Sequence, residues 1–347
     1  MDWSDVPVSV RERLRQGCVI PAHPLALTPE RRLDRPRQRA LSRYYLEAGA
    51  GGLAVGVHTT QFAIREAELL EPVLALAAGA AAGAGAVVLI AGACGRTDQA
   101  VAEARLARGL GYHAVLLSLA AMAGADDDAL IAHCAAVAAE MPLIGFYLQR
   151  AVGGRPLSAG FWRRFAAIPN VVAIKIAPFN RYATFDVVRG VVEAGAEDRV
   201  TLYTGNDDHI LLDLLTPFTV MHEGRAVTVR IRGGLLGQWS VWTRAAVGLF
   251  ERARAVEGAV PAELLALDAQ LTDANGAVFD VANDFRGCIA GCHEVLRRQG
   301  LLDHVTLLDP DEGLGPGQAE ALDRVIAAYP HLTDDAFVAR NRERWLS

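Results

Sequence analysis

The feature that most restricts what this chain can fold into is a series of short, continuous apolar runs separated by amphipathic stretches. The runs are Val19-Ile-Pro-Ala, Gly52-Leu-Ala-Val-Gly-Val, Val87-Val-Leu-Ile-Ala, Ala114-Val-Leu-Leu-Ser-Leu, Pro142-Leu-Ile-Gly-Phe-Tyr, Val171-Val-Ala-Ile-Lys-Ile and Val200-Thr-Leu-Tyr-Thr, with a less regular eighth at Ala226-Val-Thr-Val-Arg-Ile. Strands that are apolar on both faces, rather than alternating, belong to parallel sheets covered on both sides. The intervening stretches, such as Thr97 to Leu110 and Asp127 to Glu140, carry charges along one helical face. Eight such units in about 240 residues fit a closed barrel. The expected fold is therefore α/β, a (β/α)8 TIM barrel over residues 15–255. It is followed by a C-terminal helical appendage over 256–347, within a single domain spanning 1–347. Helical patterns at Pro261 to Leu271, Asp280 to Gln299 and Gly317 to Tyr329 make up the appendage and could pack across the outer wall.

The glycine-rich segments do not redirect this reading to a dinucleotide-binding sheet. Gly79-x3-Gly83-x-Gly85 precedes a strand instead of following one, and Gly92-Ala-Cys-Gly95 follows a strand but lacks the full fingerprint. The latter reads as a turn with close backbone packing.

Charge argues against a nucleic-acid partner. The formal net charge is -6, acidic and basic residues are interspersed, and the basic stretch from Arg31 to Arg43 reads as the solvated face of the first helix. The N-terminus has neither a basic start nor an apolar run, so a cytoplasmic location is expected. The apolar segment Leu74 to Ile90 is interrupted by Gly79, Gly83 and Gly85 and reads as a buried helix and strand instead of a membrane span. The five cysteines are scattered, which disfavours a disulfide framework. Cys288-x3-Cys292-His293 lies in a helical pattern without a distant partner pair, and no metal is expected.

Lys175 is the residue that points most directly to chemistry. It interrupts the apolar strand Val171-Val-Ala-Ile-Lys-Ile-Ala-Pro178, where burial would favour the neutral amine and make it a carbonyl nucleophile. Tyr147 ends the preceding apolar run, and its phenol could relay a proton at the same barrel end. Thr59 and Thr60 follow the second strand after His58, placing hydroxyls and amides where a carboxylate could bind, and His23 ends the first strand in the same way. His209 and His222 also fall near loops, without the spacing of a metal site.

These residues resemble those of the dihydrodipicolinate synthase and N-acetylneuraminate lyase family of class I, pyruvate-type aldolases. The resemblance extends from Gly17-Cys-Val-Ile-Pro-Ala-His to the helices ending near Tyr329. It is most specific at Phe146-Tyr147 and Val172-Val-Ala-Ile-Lys175, whose order and separation are similar to the family's phenolic tyrosine and Schiff-base lysine. His58-Thr-Thr-Gln, Ile90-Ala-Gly-Ala-Cys-Gly95 and Thr204-Gly-Asn-Asp207 support it.

The resemblance implies that Lys175 forms an imine with an α-keto acid, that Tyr147 shuttles the proton and that Thr59 and Thr60 bind the carboxylate. Gly205 then matches the family's substrate-loop glycine. It also implies no metal or organic cofactor, a small oxo-acid substrate with pyruvate as a donor or product, and assembly as a homodimer or homotetramer. The chain departs from the family at Leu119-Ala-Ala-Met122, Ala151-Val-Gly-Gly154, Gln61-Phe62 and Gly237-Gln-Trp-Ser240, which points away from the two name-giving activities. The altered Gln61 and Phe62 are expected to reshape the donor side of the pocket. The expected function is a Schiff-base lyase, aldolase or dehydratase of a small oxo acid. The alternatives are a noncatalytic oxo-acid sensor that kept the barrel, and metal-assisted hydrolysis by the loop histidines.

Overall fold

Each of the first seven apolar runs becomes a strand covered on both faces. The computed structural model describes all 347 residues. Strands β1 (Val19–Pro21), β2 (Gly52–Val55), β3 (Val88–Ala93), β4 (Ala114–Leu117), β5 (Leu143–Leu148), β6 (Val171–Ala177) and β7 (Thr201–Thr204) are parallel. Two further strands, β8 (Pro217–His222) and β9 (Arg225–Leu236), complete the set, and the order around the sheet is β1-β9-β7-β6-β5-β4-β3-β2. The seam between β1 and β2 is joined by the Ala22–Ala54 bridge, with the His23 amide donating to the Ala54 carbonyl at 2.8 Å. The result is a (β/α)8 barrel with helices interleaved between strands and further helices beyond it.

The eighth unit differs from the sequence expectation. Ala226 to Arg230 does not lie in the barrel wall but pairs antiparallel with β8 as an external hairpin, and the barrel strand is Ile231 to Leu236. The physical sign is alternation: the outer half of β9 is exposed or half-buried at successive positions, whereas its last four residues are all buried.

Helix placement follows from local capping. Asp34, Asp126, Ser158 and Asn180 accept from the backbone amides of Arg37, Ala129, Phe161 and Ala183. These bonds fix the starts of α2 (Arg35–Ala48), α5 (Asp127–Ala138), α6 (Ala159–Ala166) and α7 (Arg181–Glu193). Helices α3 (Leu70–Ala81) and α4 (Thr97–Gly109) cover the strands between them, and no helix is long and apolar enough to cross a membrane. Helix α1 (Val8–Gln16), ahead of the first strand, inserts Val10 and Leu14 into the apolar cluster inside the barrel. Near the C-terminal end of β3, Gly92 is required by close approach, since a Cβ there would sit 2.2 Å from the Gly56 carbonyl oxygen.

The helices after the barrel do more than line its outer wall. They are α10 (Ala262–Val278), α11 (Cys288–Arg298), α12 (Gln318–Ala328) and α13 (Asp335–Leu346), preceded by α8 (Ile210–Leu215) and α9 (Thr243–Arg254). Asp268 of α10 accepts from the Leu211 and Leu212 amides and so caps α8. Arg37 and Arg43 of α2 are half-buried and bind the C-terminal segments, Arg37 through Asp303 and the Gly300 and Leu301 carbonyls, Arg43 through the Trp345 carbonyl. The basic stretch is therefore partly a docking face and not wholly solvated. Between α10 and α11 the chain turns back over the barrel mouth.

Candidate active site

Strand parity decides which side chains share the barrel interior. On β6, Ala173 and Ala177 point inward, and Lys175 between them does the same; on β5, Ile144 and Phe146 are the inward pair. Phe146 is the ladder partner of Lys175, and the lysine Nζ lies 4.4 Å from the centre of its ring. Lys175 is 7% exposed and forms no ion pair. Burial pushes its pKa down, while the Asp207 carboxylate opposes the shift. Desolvation wins, and the amine is moved toward its neutral, nucleophilic form. The aromatic face beneath it favours the ammonium and so acts on the same side as Asp207.

Tyr147 does not join Lys175. Its ring packs on Trp162 of α6 in the shell outside the barrel, and its hydroxyl donates to the Leu157 carbonyl at 3.3 Å and accepts from the Leu157 amide at 3.1 Å. The cause is one extra residue in β6. The ladder pairs Leu143 with Val171 and then Ile144 with Ala173, leaving Val172 as a bulge. Without that bulge the ladder would set Tyr147 opposite Lys175; with it, Phe146 takes the place.

The other expected residues divide. His58 and Thr59 line the same chamber as Lys175, with Phe146, Gly205 and Asp207. Burial, aided by the Lys175 charge, pushes His58 down to about 4, so its imidazole is neutral. The Thr59 hydroxyl donates to the Ala22 carbonyl at 2.8 Å. Thr60 is fully buried behind it, donating to the His23 carbonyl at 2.6 Å and accepting from the Gly56 amide at 2.9 Å, so it braces the loop. His23 also lies outside the chamber: its ring nitrogens contact the Pro24 carbonyl and the Ser42 hydroxyl, both at 2.8 Å, against α2. Gly205 is where the lysine stem passes, since a Cβ there would lie 2.7 Å from Lys175 Cε.

Gln61 turns away from the chamber, accepting from the Leu308 amide at 2.7 Å, and Phe62 packs beside His58 and Arg65. Their expected effect on the pocket wall is therefore indirect. Neither His209, which pairs with Asp268 at 3.3 Å, nor His222 at the end of β8 lines the chamber.

The strongest omission of the sequence reading is Asp207. It is 8% exposed, faces the chamber and accepts from the Gln238 amide at 3.0 Å. Burial raises its pKa, against the lowering influence of Lys175, which suits a carboxyl group to exchange protons near neutrality. Its presence in Thr204-Gly-Asn-Asp207 was the available signal. A second signal lay in composition: Lys175 is the only lysine of the chain, the other 33 of its 34 Lys and Arg residues being arginine. Arginine can supply ion pairs but not an amine nucleophile.

The chamber has a volume of about 50 Å³. It opens into an outer cavity of about 500 Å³ lined by Arg150, Asn180, Asp208, Thr272 and Asn275. The walls between them include Phe279 and Phe285, from the segment joining α10 to α11, with Cys288, the first residue of α11, beside the chamber. A buried amine, a neighbouring carboxyl and a neutral imidazole in a small enclosed space can together add to a carbonyl and move protons around it.

Comparison with known proteins identifies the family and the fold. A sequence model of the dihydrodipicolinate synthetase family matches residues 17–220. No curated protein matches the chain in sequence. Among solved structures, the chloride-inhibited dihydrodipicolinate synthase of Acinetobacter baumannii complexed with pyruvate superposes with a TM-score of 0.73 at 19% identity, covering 93% of this chain and 99% of the other. The dihydrodipicolinate synthase of Cyanidioschyzon merolae with lysine bound gives 0.73 at 20% identity, covering 91% and 98%. A prophage protein of the same family from E. coli K12, in complex with pyruvate, gives 0.72 at 18% identity, covering 92% and 99%. These likenesses show the fold.

Proposed function

Because the chain belongs to the dihydrodipicolinate synthetase family, and so is similar to class I aldolases acting on small oxo acids, we propose that it is a Schiff-base lyase or aldolase with Lys175 as its nucleophile. The observation that carries this reading is that the sole lysine of the chain stands inside the barrel, buried and without an ion pair, at the wall of a small chamber.

In this reading the neutral Lys175 amine attacks the keto carbon of an oxo acid such as pyruvate. The carbinolamine loses its hydroxyl as water once a proton is supplied, leaving an iminium that draws electrons from the adjacent carbon. Asp207 supplies that proton and later accepts one from the adjacent carbon to give the enamine; it takes the role expected of Tyr147. His58 meets the substrate carboxylate as a neutral N–H donor, and Thr59, whose hydroxyl is bound to the Ala22 carbonyl, meets it through its backbone amide. Thr60 and His23 hold the loop and strand end that carry them, and Gly205 leaves room for the lysine stem. No metal or organic cofactor enters these steps, because the iminium is the electron sink.

Phe146 favours a second reading. With no phenol beside the amine, the chain could bind an oxo acid as an imine without completing turnover, as a sensor would. Incubation with a panel of oxo acids and borohydride, read by intact mass, tests the first step. Deuterium exchange at the methyl group of pyruvate then separates the readings. A lyase or aldolase gives both the reduced adduct and exchange, a sensor gives the adduct alone, and failure to form an adduct with any oxo acid in the folded protein removes both.

A further inference from the structure

The five residues common to the inner chamber and the outer cavity are Gln149, Phe179, Asp207, Phe279 and Phe285. Three of the five are phenylalanines, and a fourth, Phe146, lies under the amine. Phe179 and Phe285 face each other at a centroid separation of 5.9 Å and an interplanar angle of 71°. Both stand in the left-handed backbone region, at φ 51° and 64°, where bulky side chains are rare. The structure holds them there: the Phe179 amide donates to Asn206 Oδ1 and the Phe285 amide to the Asp280 carbonyl, each at 3.0 Å. A backbone strained twice to bring two rings to one neck is a built feature of the site.

The position of the neck determines what it would contact. A donor bound as an imine on Lys175 fills the chamber, so its bond-forming carbon looks out through the neck, and the aldehyde partner must lie between the phenylalanines. A chain of hydroxyl groups would have to leave water for ring faces and edges there, whereas a flat apolar group would gain from them. We propose that the acceptor, or the aldehyde released in the reverse direction, is aromatic. This rests on the Schiff-base reading.

The step balances without another reagent. The enamine carbon attacks the aldehyde carbon, the new alkoxide takes a proton, and water releases a γ-aryl-γ-hydroxy-α-oxo acid and restores the Lys175 amine. The polar residues of the outer cavity, Asn180, Asp208, Thr272 and Asn275 among them, then face the outer edge of the ring and select its substituents.

The test pairs pyruvate with benzaldehyde or with D-glyceraldehyde, measures kcat/KM for each aldehyde by product mass, and in parallel traps pyruvate alone with borohydride. The expected preference for benzaldehyde is about 10–200-fold, the range that an apolar pocket supplies, and Phe285→Ala and Phe179→Leu each lower the ratio of the two values. A ratio taken within one preparation does not depend on how much of a variant is folded. Pyruvate trapping without a preference for benzaldehyde overturns the aromatic assignment alone. Absence of trapping with every oxo acid overturns the Schiff-base reading and this proposal with it.

Discussion

Gly205→Ala tests the lysine geometry with a single added methyl group. Built on the present backbone, that methyl would lie 2.7 Å from Lys175 Cε, 3.1 Å from Lys175 Cγ and 2.8 Å from Ala177 Cβ. Carbon atoms pack at about 3.5–4.0 Å, so roughly 1 Å of relief must be found. Ala177 is fixed in β6 and cannot give way. The lysine stem is the flexible neighbour, and it is displaced. A reacting group misplaced by about 1 Å loses on the order of 10²-fold in rate, while overpacking at such a site costs about 1–3 kcal/mol. The expected result is a fall of about 10²-fold in the rate of borohydride-trapped pyruvate adduct, followed by quenching and intact mass, with a modest drop in melting temperature. Trapping at the wild-type rate by folded Gly205→Ala would refute the placement of the lysine stem against Gly205.

Three other outcomes follow from the same geometry. Asp207→Asn is expected to lower turnover and methyl-proton exchange by about 10²–10⁴-fold while still reaching the adduct, more slowly. Since the carboxylate raises the Lys175 pKa, its loss extends trapping to lower pH; a pH profile that moves upward, or exchange at the normal rate, contradicts the role. Tyr147→Phe removes a hydroxyl bonded twice to Leu157 outside the chamber, so it is expected to cost about 1–3 kcal/mol of stability in a denaturant titration, and a loss of turnover larger than that of Asp207→Asn would return the relay to the tyrosine. His23 and His293 are buried and pushed down from 6.5 to about 4. A base whose folded pKa is depressed is neutral in both states above pH 6.5, and as pH falls the unfolded chain takes up the proton first. Stability is therefore fully present above pH 6.5 and lost down to about pH 4, on the order of 3 kcal/mol per histidine; equal denaturation midpoints at pH 7 and pH 5 would contradict this.

The parallel sheet was legible because its strands are continuously apolar, and its closure into a barrel because there are eight such units. Lys175 was legible for the converse reason, as a charge in such a strand. Ala226-Val-Thr-Val-Arg-Ile suggests barrel wall by its apolar content, yet it alternates, and alternation is the mark of a strand with one wet face, here the outer half of β9 in its hairpin with β8. Tyr147 was assigned by spacing, and spacing fails when one bulged residue at Val172 changes the partner on the next strand. Asp207 stood in a segment already singled out, but its raised pKa depends on burial that only the folded chain supplies. Phe279 and Phe285 reach the mouth from a segment about 100 residues beyond Lys175 in sequence, and no local pattern announces such a contact.

The uniqueness of Lys175 makes the most direct measurement unusually clean. The chain has two kinds of amine that borohydride could fix to an oxo acid, the α-amino group of Met1 and the side chain of Lys175. Peptide mass spectrometry after reduction of the folded protein with pyruvate should place the whole mass increment on the peptide containing Lys175, and Lys175→Arg should abolish it because guanidinium is not a competent carbonyl nucleophile. An increment confined to Met1, or one that persists at full level in folded Lys175→Arg, would contradict the Schiff-base assignment.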